Sequence, residues 1–361
     1  MRARVRGLGA AYLGLSVSAP APALSCCVVA WNAAERLPRL LRSLLAEQAA
    51  GLPLEVVVVD NASRDGTAGL VAREFPAVRV VASERNLGYA AGQRLAAGHA
   101  TAPALLFLND DLEVPPGALR ALLDALAAHP EAVAVGPALT DADGALQRSA
   151  GPLPTAGAAF HRLRWLRWTG LFRRAHAAFR QAPLPPAGPV PCLMGAALLV
   201  RRAALSHTGW DPGFPFGLED ADLCARLGAQ GPLWFAPQVR LLHVGGVASA
   251  LNPLRVVRGY ELGWVRYLAR HDPRAWVAPL LALGTLLDLP LRALLLSLRA
   301  LLLLARGRAG DARAALAQAG ASAWFALTGG PALLRAVDRS LPGGDERGIQ
   351  AGPAPEAPPS S

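Results

Sequence analysis

The chain contains no lysine: all 36 of its basic residues are arginine. Isoleucine occurs once, at Ile349, and methionine twice. A skew of this kind reflects a GC-rich coding sequence, so an arginine alone does not mark a phosphate ligand. Cysteine is scarce too. Cys26, Cys27, Cys192 and Cys224 form no CxxC pair and read as buried core thiols of a reducing compartment. A clean membrane span, roughly 18–20 apolar residues without charge, is also missing. The uncharged stretches 7–34, 181–200 and 314–334 are each broken by Pro, Gly and polar residues, which argues against a multi-span transporter. Wholesale disorder is excluded by a hydrophobic content of 53% and a mean hydropathy of +0.30.

A length of 361 residues leaves room for one large α/β domain with a smaller appendage, or two ordinary domains. The net charge of +10 is unevenly spread. Residues 1–23 carry 3 Arg and no acid, residues 24–250 carry 20 Arg against 18 acids, and residues 251–361 carry 13 Arg against 8. The segment 160–180, FHRLRWLRWTGLFRRAHAAFR, alone holds six Arg and no acid. Without it the central segment is mildly acidic. Basic charge beside apolar segments suits an anionic membrane surface better than a nucleic-acid groove, so no nucleic-acid partner is expected. Residues 1–23 loosely imitate a signal peptide, but their glycines and the strand that follows favour a disordered leader or a start placed too early.

From Leu24 strands and helices alternate. LSCCVVAW (24–31), LEVVVVD (54–60), AVRVVA (77–82) and ALLFLND (104–110) are apolar runs of the length a buried parallel strand needs. Between the first two, Leu37, Leu40, Leu41, Leu44 and Leu45 recur at helical spacing. Further helices are expected over about 88–100 and 116–128, a short strand at 133–136, a strand over 192–202 and a helix over 219–231. Strands alternating with helices imply βαβ units and a mostly parallel sheet flanked by helices. Residues 151–190 read as an excursion.

Residues 275–305 are apolar but carry Asp288, Arg292 and Arg299, spaced by 4 and 7. On a helix these lie within roughly 40° of one another, a thin polar stripe on an apolar rod. Pro290 is expected to open a second helix. A monotopic or re-entrant amphipathic pair, a tilted spanning hairpin and a soluble core pair are all compatible with this pattern.

Carboxylates gather at strand ends. Asp60 ends the second strand, and Asn109-Asp110-Asp111 ends the fourth. In an open parallel sheet, ligands bind beyond the carboxyl ends of the strands. Adjacent like charges call for a counter-ion, which a divalent metal supplies. Glu219-Asp220 opens a helix, and either complements its dipole or provides a carboxylate base held ionised by the helix N-terminus. Asp222 and Arg226 form an i,i+4 pair. The preceding GWDPGFPFG has the aromatic, kinked character of a sugar-binding wall. His243 ends an apolar strand, and reads as a core histidine or as a metal ligand.

The series CVVAWNAAERL, EVVVVDNASRDGT, RNLGYAAGQRLA, LFLNDDLEV, LMGAALLVRRAAL, GWDPGFPFGLEDADLCARL and HVGG covers about residues 24–270. In this order it resembles glycosyltransferase family 2, particularly its bacterial rhamnosyltransferase-like members. The resemblance implies a GT-A nucleotide-sugar-binding fold and inverting transfer of a sugar, rhamnose the candidate, from a nucleotide-diphosphate donor to a hydroxyl of a cell-surface glycan or lipid-linked acceptor. It further implies that Asp60 contacts the nucleobase, that the backbone of Ala30, Trp31 and Asn32 borders the nucleotide, and that Asn86 and Gly88 shape the floor beside the ribose. Asn109-Asp110-Asp111 is similar to the DXD motif. Asn109 and Asp110 would face the nucleotide sugar, and Asp111 with His243 would hold Mg²⁺ or Mn²⁺. Asp220, paired with Glu219, would be the general base. Two departures concern fine nucleotide contacts: Asn109 replaces Asp, and Gln93 replaces an Asn.

The expected organisation is thus a leader (1–23), a GT-A domain (24–250), a linker helix (251–274), membrane-associated amphipathic helices (275–330) and a mostly disordered tail (331–361). The expected location is the cytoplasmic face of the bacterial inner membrane, with 160–180 as an interfacial helix or lid. A polyprenyl-phosphate sugar synthase and a non-catalytic nucleotide-sugar-binding protein remain as alternatives.

Overall fold

The structure, a computed structural model, describes residues 21–180, 183–206, 208–214, 216–244 and 253–338. Residues 1–20 of the expected leader, Gly245 and Gly246 of HVGG, and the tail from residue 339 lie outside them.

Four strands that read as continuous apolar runs form one half of the sheet: β1 (Leu24–Ala30), β2 (Leu54–Asp60), β3 (Arg79–Ala82) and β4 (Ala104–Asn109). They pair in parallel, in the order β3-β2-β1-β4. The pleat sends successive side chains to opposite faces. Cys26, Val28 and Ala30 therefore pack on one face, under α1 (Leu37–Ala49), α2 (Thr67–Glu74) and α4 (Ala118–Ala128). Cys27 and Val29 pack on the other, toward α3 (Tyr89–His99). The adjacent cysteines thus face opposite layers, and all four thiols are free. In α1 the Leu37, Leu40, Leu41 and Leu44 side chains have no exposed surface. Each contributes roughly 1.5–3 kcal/mol by leaving water.

The sheet continues through β11 (Ala197–Arg201), β6 (Ala134–Thr140), β12 (Leu233–His243) and the short β5 (Leu112–Glu113). β11 is antiparallel to both neighbours, and β12 runs parallel to β6. The run expected as one strand over 192–202 is broken. Cys192–Leu193 (β10) pairs with β8 (Ala150–Gly151), and Met194-Gly195-Ala196 turns the chain before β11. β7 (Leu146–Gln147) lies against β6, β9 (Gly188–Val190) lies against β12, and the short α8 (Arg202–Leu205) follows β11.

Parallel register aligns the ligand-facing ends. Ala30 is opposite Asp60, and Val29 is opposite Asn109. Across the sheet, β12 delivers His243 beside Leu112 of β5, and α9 (Glu219–Gly228) begins with the acidic pair.

The C-terminal third is helical: α10 (Pro253–His271), α11 (Val277–Ala305), α12 (Ala309–Thr328) and α13 (Gly330–Val337). The last begins the segment read as a disordered tail. Three short helices of the excursion, α5 (Ala156–Phe160), α6 (Arg164–Arg167) and α7 (Arg173–Arg180), share a core with this layer. α11 runs unbroken through Pro290, where the sequence suggested a new helix. An interior Pro costs about 3 kcal/mol. Here Asp288 and Arg292, on either side of it, are held by ion pairs that fix both halves. Arg292 and Arg162 meet Glu261 at 2.8 and 2.9 Å, and Arg164 reaches Asp288 at 3.3 Å. Asp288 and Arg292 of the polar stripe therefore face inward, whereas Arg299 is exposed. Burial alone would raise the Glu261 carboxyl, but the guanidiniums of Arg162 and Arg292 hold it below the usual range. Among the described residues no helix is long and apolar enough to cross a membrane.

Candidate active site

A cleft of about 290 Å³ opens beyond the carboxyl ends of β1 and β4. Of the expected site residues, Trp31, Asn86, Asn109, Asp110, Asp111, Glu219, Asp220 and His243 line it. Ala30, Asn32, Asp60 and Gly88 do not, and each has a different reason. Ala30 is a core residue whose carbonyl accepts the Asn61 N–H at 2.8 Å. Asn32, in a left-handed conformation, has its N–H on Ser63 and its carbonyl on Arg36. Gly88 has φ +94° and hydrogen-bonds Asn86 Oδ1 at 3.0 Å, so it shapes the loop from below. Asp60 is 6% exposed, yet its Oδ1 has no hydrogen-bond partner. A buried acceptor left so is costly, and a ligand N–H would relieve it.

The β4 end carries two different carboxylates. Asp110 is committed to Arg36 through two contacts, Nε to Oδ1 at 3.0 Å and Nη2 to Oδ2 at 2.7 Å. Burial pushes its acid strength down, against the pull of Arg36. Asp111 Oδ1 stands 3.4 Å from His243 Nε2. Two neighbouring ligands of Mg²⁺, each about 2.1 Å from the ion, lie roughly 3 Å apart. One imidazole and one carboxylate at this spacing fit a divalent cation of the Mg²⁺ or Mn²⁺ class. Among the described residues no group of three or more His, Cys, Asp or Glu could hold a metal, so remaining ligands would come from substrate and water.

On the opposite wall, Leu218 turns with φ +65° and starts α9. Asp220 Oδ2 accepts the Gly195 N–H at 3.2 Å, and Oδ1 accepts the Ala221 N–H at 2.8 Å. Gly195 is required for this approach, because a Cβ there would meet Asp220 Cβ at 2.9 Å. The Tyr89 hydroxyl donates to the Gly195 carbonyl at 2.6 Å, so the turn is gripped from both sides. The sequence expected the helix N-terminus to keep this pair ionised. Burial outweighs it. The Glu219 carboxyl is pushed up to about 8, by desolvation first and by the Asp220 charge second. Asp220 is raised as well, again by burial.

A model of the family described as Glycosyl transferase family 2 matches residues 25–207. An N-acetylglucosaminyl-diphospho-decaprenol L-rhamnosyltransferase of Mycobacterium tuberculosis (strain CDC 1551 / Oshkosh) is 32% identical over 277 residues, covering 71% of this chain and 87% of that protein. The chain belongs to glycosyl transferase family 2. It is therefore a glycosyltransferase, and its mixed α/β sheet is the GT-A architecture that membership implies. Succinoglycan biosynthesis protein ExoO of Rhizobium meliloti (strain 1021) is 36% identical over 104 residues, 28% of this chain and 29% of that protein. Among solved structures, the mannosyltransferase PcManGT from Pyrobaculum calidifontis, in complex with GDP-Man and Mn²⁺, is 19% identical. It covers 84% of this chain and 88% of its own, with a TM-score of 0.47.

The structure adds residues that motif reading passed over. The Asn61 carboxamide braces the Asn86–Gly88 loop, accepting from Leu87 N–H at 2.7 Å and donating to Gly88 O at 3.2 Å. Arg36 bridges β1 and β4. Arg255, from the first turn of α10, enters the cleft. The aromatic wall of GWDPGFPFG is mostly core: Trp210 and Phe214 are buried, and Phe216 lines the cleft.

Proposed function

We propose that this family member is a metal-dependent, inverting glycosyltransferase. It would move a sugar, rhamnose the candidate, from a nucleotide-diphosphate donor to a hydroxyl of a lipid-linked or cell-surface glycan acceptor. The observation that carries this reading is that the Asp111–His243 pair and the Glu219–Asp220 pair face one cleft at the sheet's carboxyl edge. The name of the mycobacterial relative supports both the sugar and a diphosphate-lipid acceptor.

Asp111 and His243 would hold the cation, and Asp60 offers its buried acceptor to the nucleobase. A bound Mg²⁺ or Mn²⁺ supplies Lewis-acid stabilisation of the charge on the departing diphosphate. Asp220, aligned by two backbone N–H groups, takes the proton of the attacking hydroxyl. Its burial brings it nearer the working pH, where a general base is worth roughly 10²–10⁴-fold. Glu219, protonated near neutrality, keeps a second negative charge away from that base. No covalent sugar–enzyme intermediate is needed.

The enzyme would work on the cytoplasmic face of the inner membrane, lying on an anionic surface. Support comes from α11, whose charges Asp288 and Arg292 point inward, while Trp276, Leu280, Leu283, Leu287, Leu294, Leu298 and Leu301 are 48–64% exposed along one stripe. Exposed apolar surface of this continuity marks an interaction face. A helix of 29 residues carries it over roughly 43 Å. Trp165 and Trp168 of the excursion are exposed too, and exposed Arg299, Arg306, Arg308 and Arg313 supply the positive edge.

The test is Asp220→Asn, assayed by transfer to a lipid-diphosphate sugar acceptor and by thermal shift with nucleotide sugars and Mn²⁺. Transfer is expected to vanish while the donor-induced shift stays. Near-normal turnover would refute the base assignment.

A further inference from the structure

We infer that Gln147 is a positioning residue that fixes which imidazole nitrogen of His243 faces the cation. The inference rests on the reading of Asp111–His243 as the metal pair. Gln147 and His243 are 96 residues apart in sequence, and β6 brings them together. Leu139 of β6 is opposite Gln147 on one side and opposite Leu241 on the other.

For the neutral imidazole the hydrogen-bond logic leaves one arrangement. The Gln147 carboxamide meets His243 twice, at its backbone carbonyl and at Nδ1, each at 2.7 Å. A carbonyl oxygen can only accept, so the amide nitrogen, Nε2 of Gln147, must face it. Gln147 Oε1 is then left facing Nδ1, and it too can only accept. Nδ1 must therefore carry the hydrogen. A neutral imidazole has only one N–H, so His243 Nε2 presents a bare lone pair to the cleft. The cleft side agrees: Nε2 lies 3.3 Å from Asn109 Nδ2, a donor that needs an acceptor there. Nε2 is also the nitrogen 3.4 Å from Asp111 Oδ1.

The choice of an amide is itself informative. A carboxylate could orient the ring equally well. This cleft already holds Asp110, Asp111 and Asp220, and a further negative charge beside His243 would deepen their mutual repulsion. Gln147 orients the ring without adding charge, and its second bond ties the side chain to the backbone of the residue it serves.

The test uses the full chain, ¹⁵N-histidine NMR without metal, and Mn²⁺ titration followed by electron paramagnetic resonance. Wild type is expected to show His243 protonated at Nδ1, and to bind Mn²⁺ in a manner abolished by His243→Ala. Gln147→Leu is expected to lose the Nδ1–H signature and 10–100-fold in Mn²⁺ affinity, the usual cost of removing such a partner. Gln147→Glu, which keeps an acceptor opposite Nδ1, is expected to restore the signature. A Gln147→Leu protein with the Nδ1–H form intact and Mn²⁺ affinity within twofold of wild type would overturn the inference alone. A wild-type chain that takes up no Mn²⁺ at His243 would overturn the cation reading beneath it.

Discussion

Glu219→Gln is expected to make the protein more stable, by an amount that depends on pH in a defined direction. The Glu219 carboxyl moves from 4.5 up to about 8 in the folded chain, chiefly because the cleft wall desolvates it. A folded-state value above the unfolded one means that the fold favours the neutral acid. Its contribution is fully present below about pH 4.5 and is lost as pH rises through about 8. Over that interval each pH unit costs the wild-type fold about 1.4 kcal/mol. Allowing for solvent that reaches the cleft, the deficit at pH 7 is about 3 kcal/mol. Glutamine has nearly the same shape and stays neutral, so it escapes this cost. The check is urea unfolding of both proteins at pH 4, 7 and 9. The two curves should coincide at pH 4, and the variant should lead by about 3 kcal/mol at pH 7 and somewhat more at pH 9. A variant equal to wild type at all three, or weaker at pH 7, would refute the desolvation argument. Instability of this size is the stability–activity trade-off expected where a site must hold two acids together.

Further outcomes follow from the same geometry. Asp111→Ala should abolish the Mn²⁺ dependence of donor binding measured by calorimetry, and an unchanged titration would count against its role. Asp222 is fully buried, and is met by Arg226 at 2.6 Å and by Arg270 and His271 at 2.9 Å each. Burial would raise its carboxyl, but these partners, His271 first, hold it at about 2. This depressed value contributes about 2 kcal/mol, present above pH 4 and lost as pH falls toward 2. Asp222→Ala should cost about 3–5 kcal/mol in urea unfolding, because two guanidiniums and an imidazole are left facing an empty site. Leu287→Asp combined with Leu294→Asp should abolish flotation with phosphatidylglycerol vesicles while the melting temperature stays within a few degrees. Retained flotation would move the membrane contact to Trp165 and Trp168.

The sheet and half of the cleft were legible for a local reason. A strand buried on both faces must be apolar throughout, and the polar residue that ends it must then sit at the sheet's edge. Asp110, Asp111 and His243 announce themselves in this way, as the α1 leucines do by spacing. Gln147, Asn61 and Arg36 gave no such signal. Each acts through a partner 25 to 96 residues distant, and only strand register brings them close. Pro290 misled because local propensity argues for a break, whereas the ion pairs that hold α11 together come from α10 and the excursion. The acidic pair lines the cleft, but burial raises both carboxyls where a helix N-terminus alone would lower them. A helix N-terminus is visible in sequence, and the desolvation that outweighs it is not.

The Asp222 cluster has a mechanical consequence. The residue sits two positions after Asp220 in α9, and its cationic clamp includes the last turn of α10, whose first turn supplies Arg255 to the cleft. The acidic pair of the cleft and the helical layer are thereby tied at one point. On the function proposed above, a tilt of the leucine-faced layer would reach the Asp220 carboxylate through this tie.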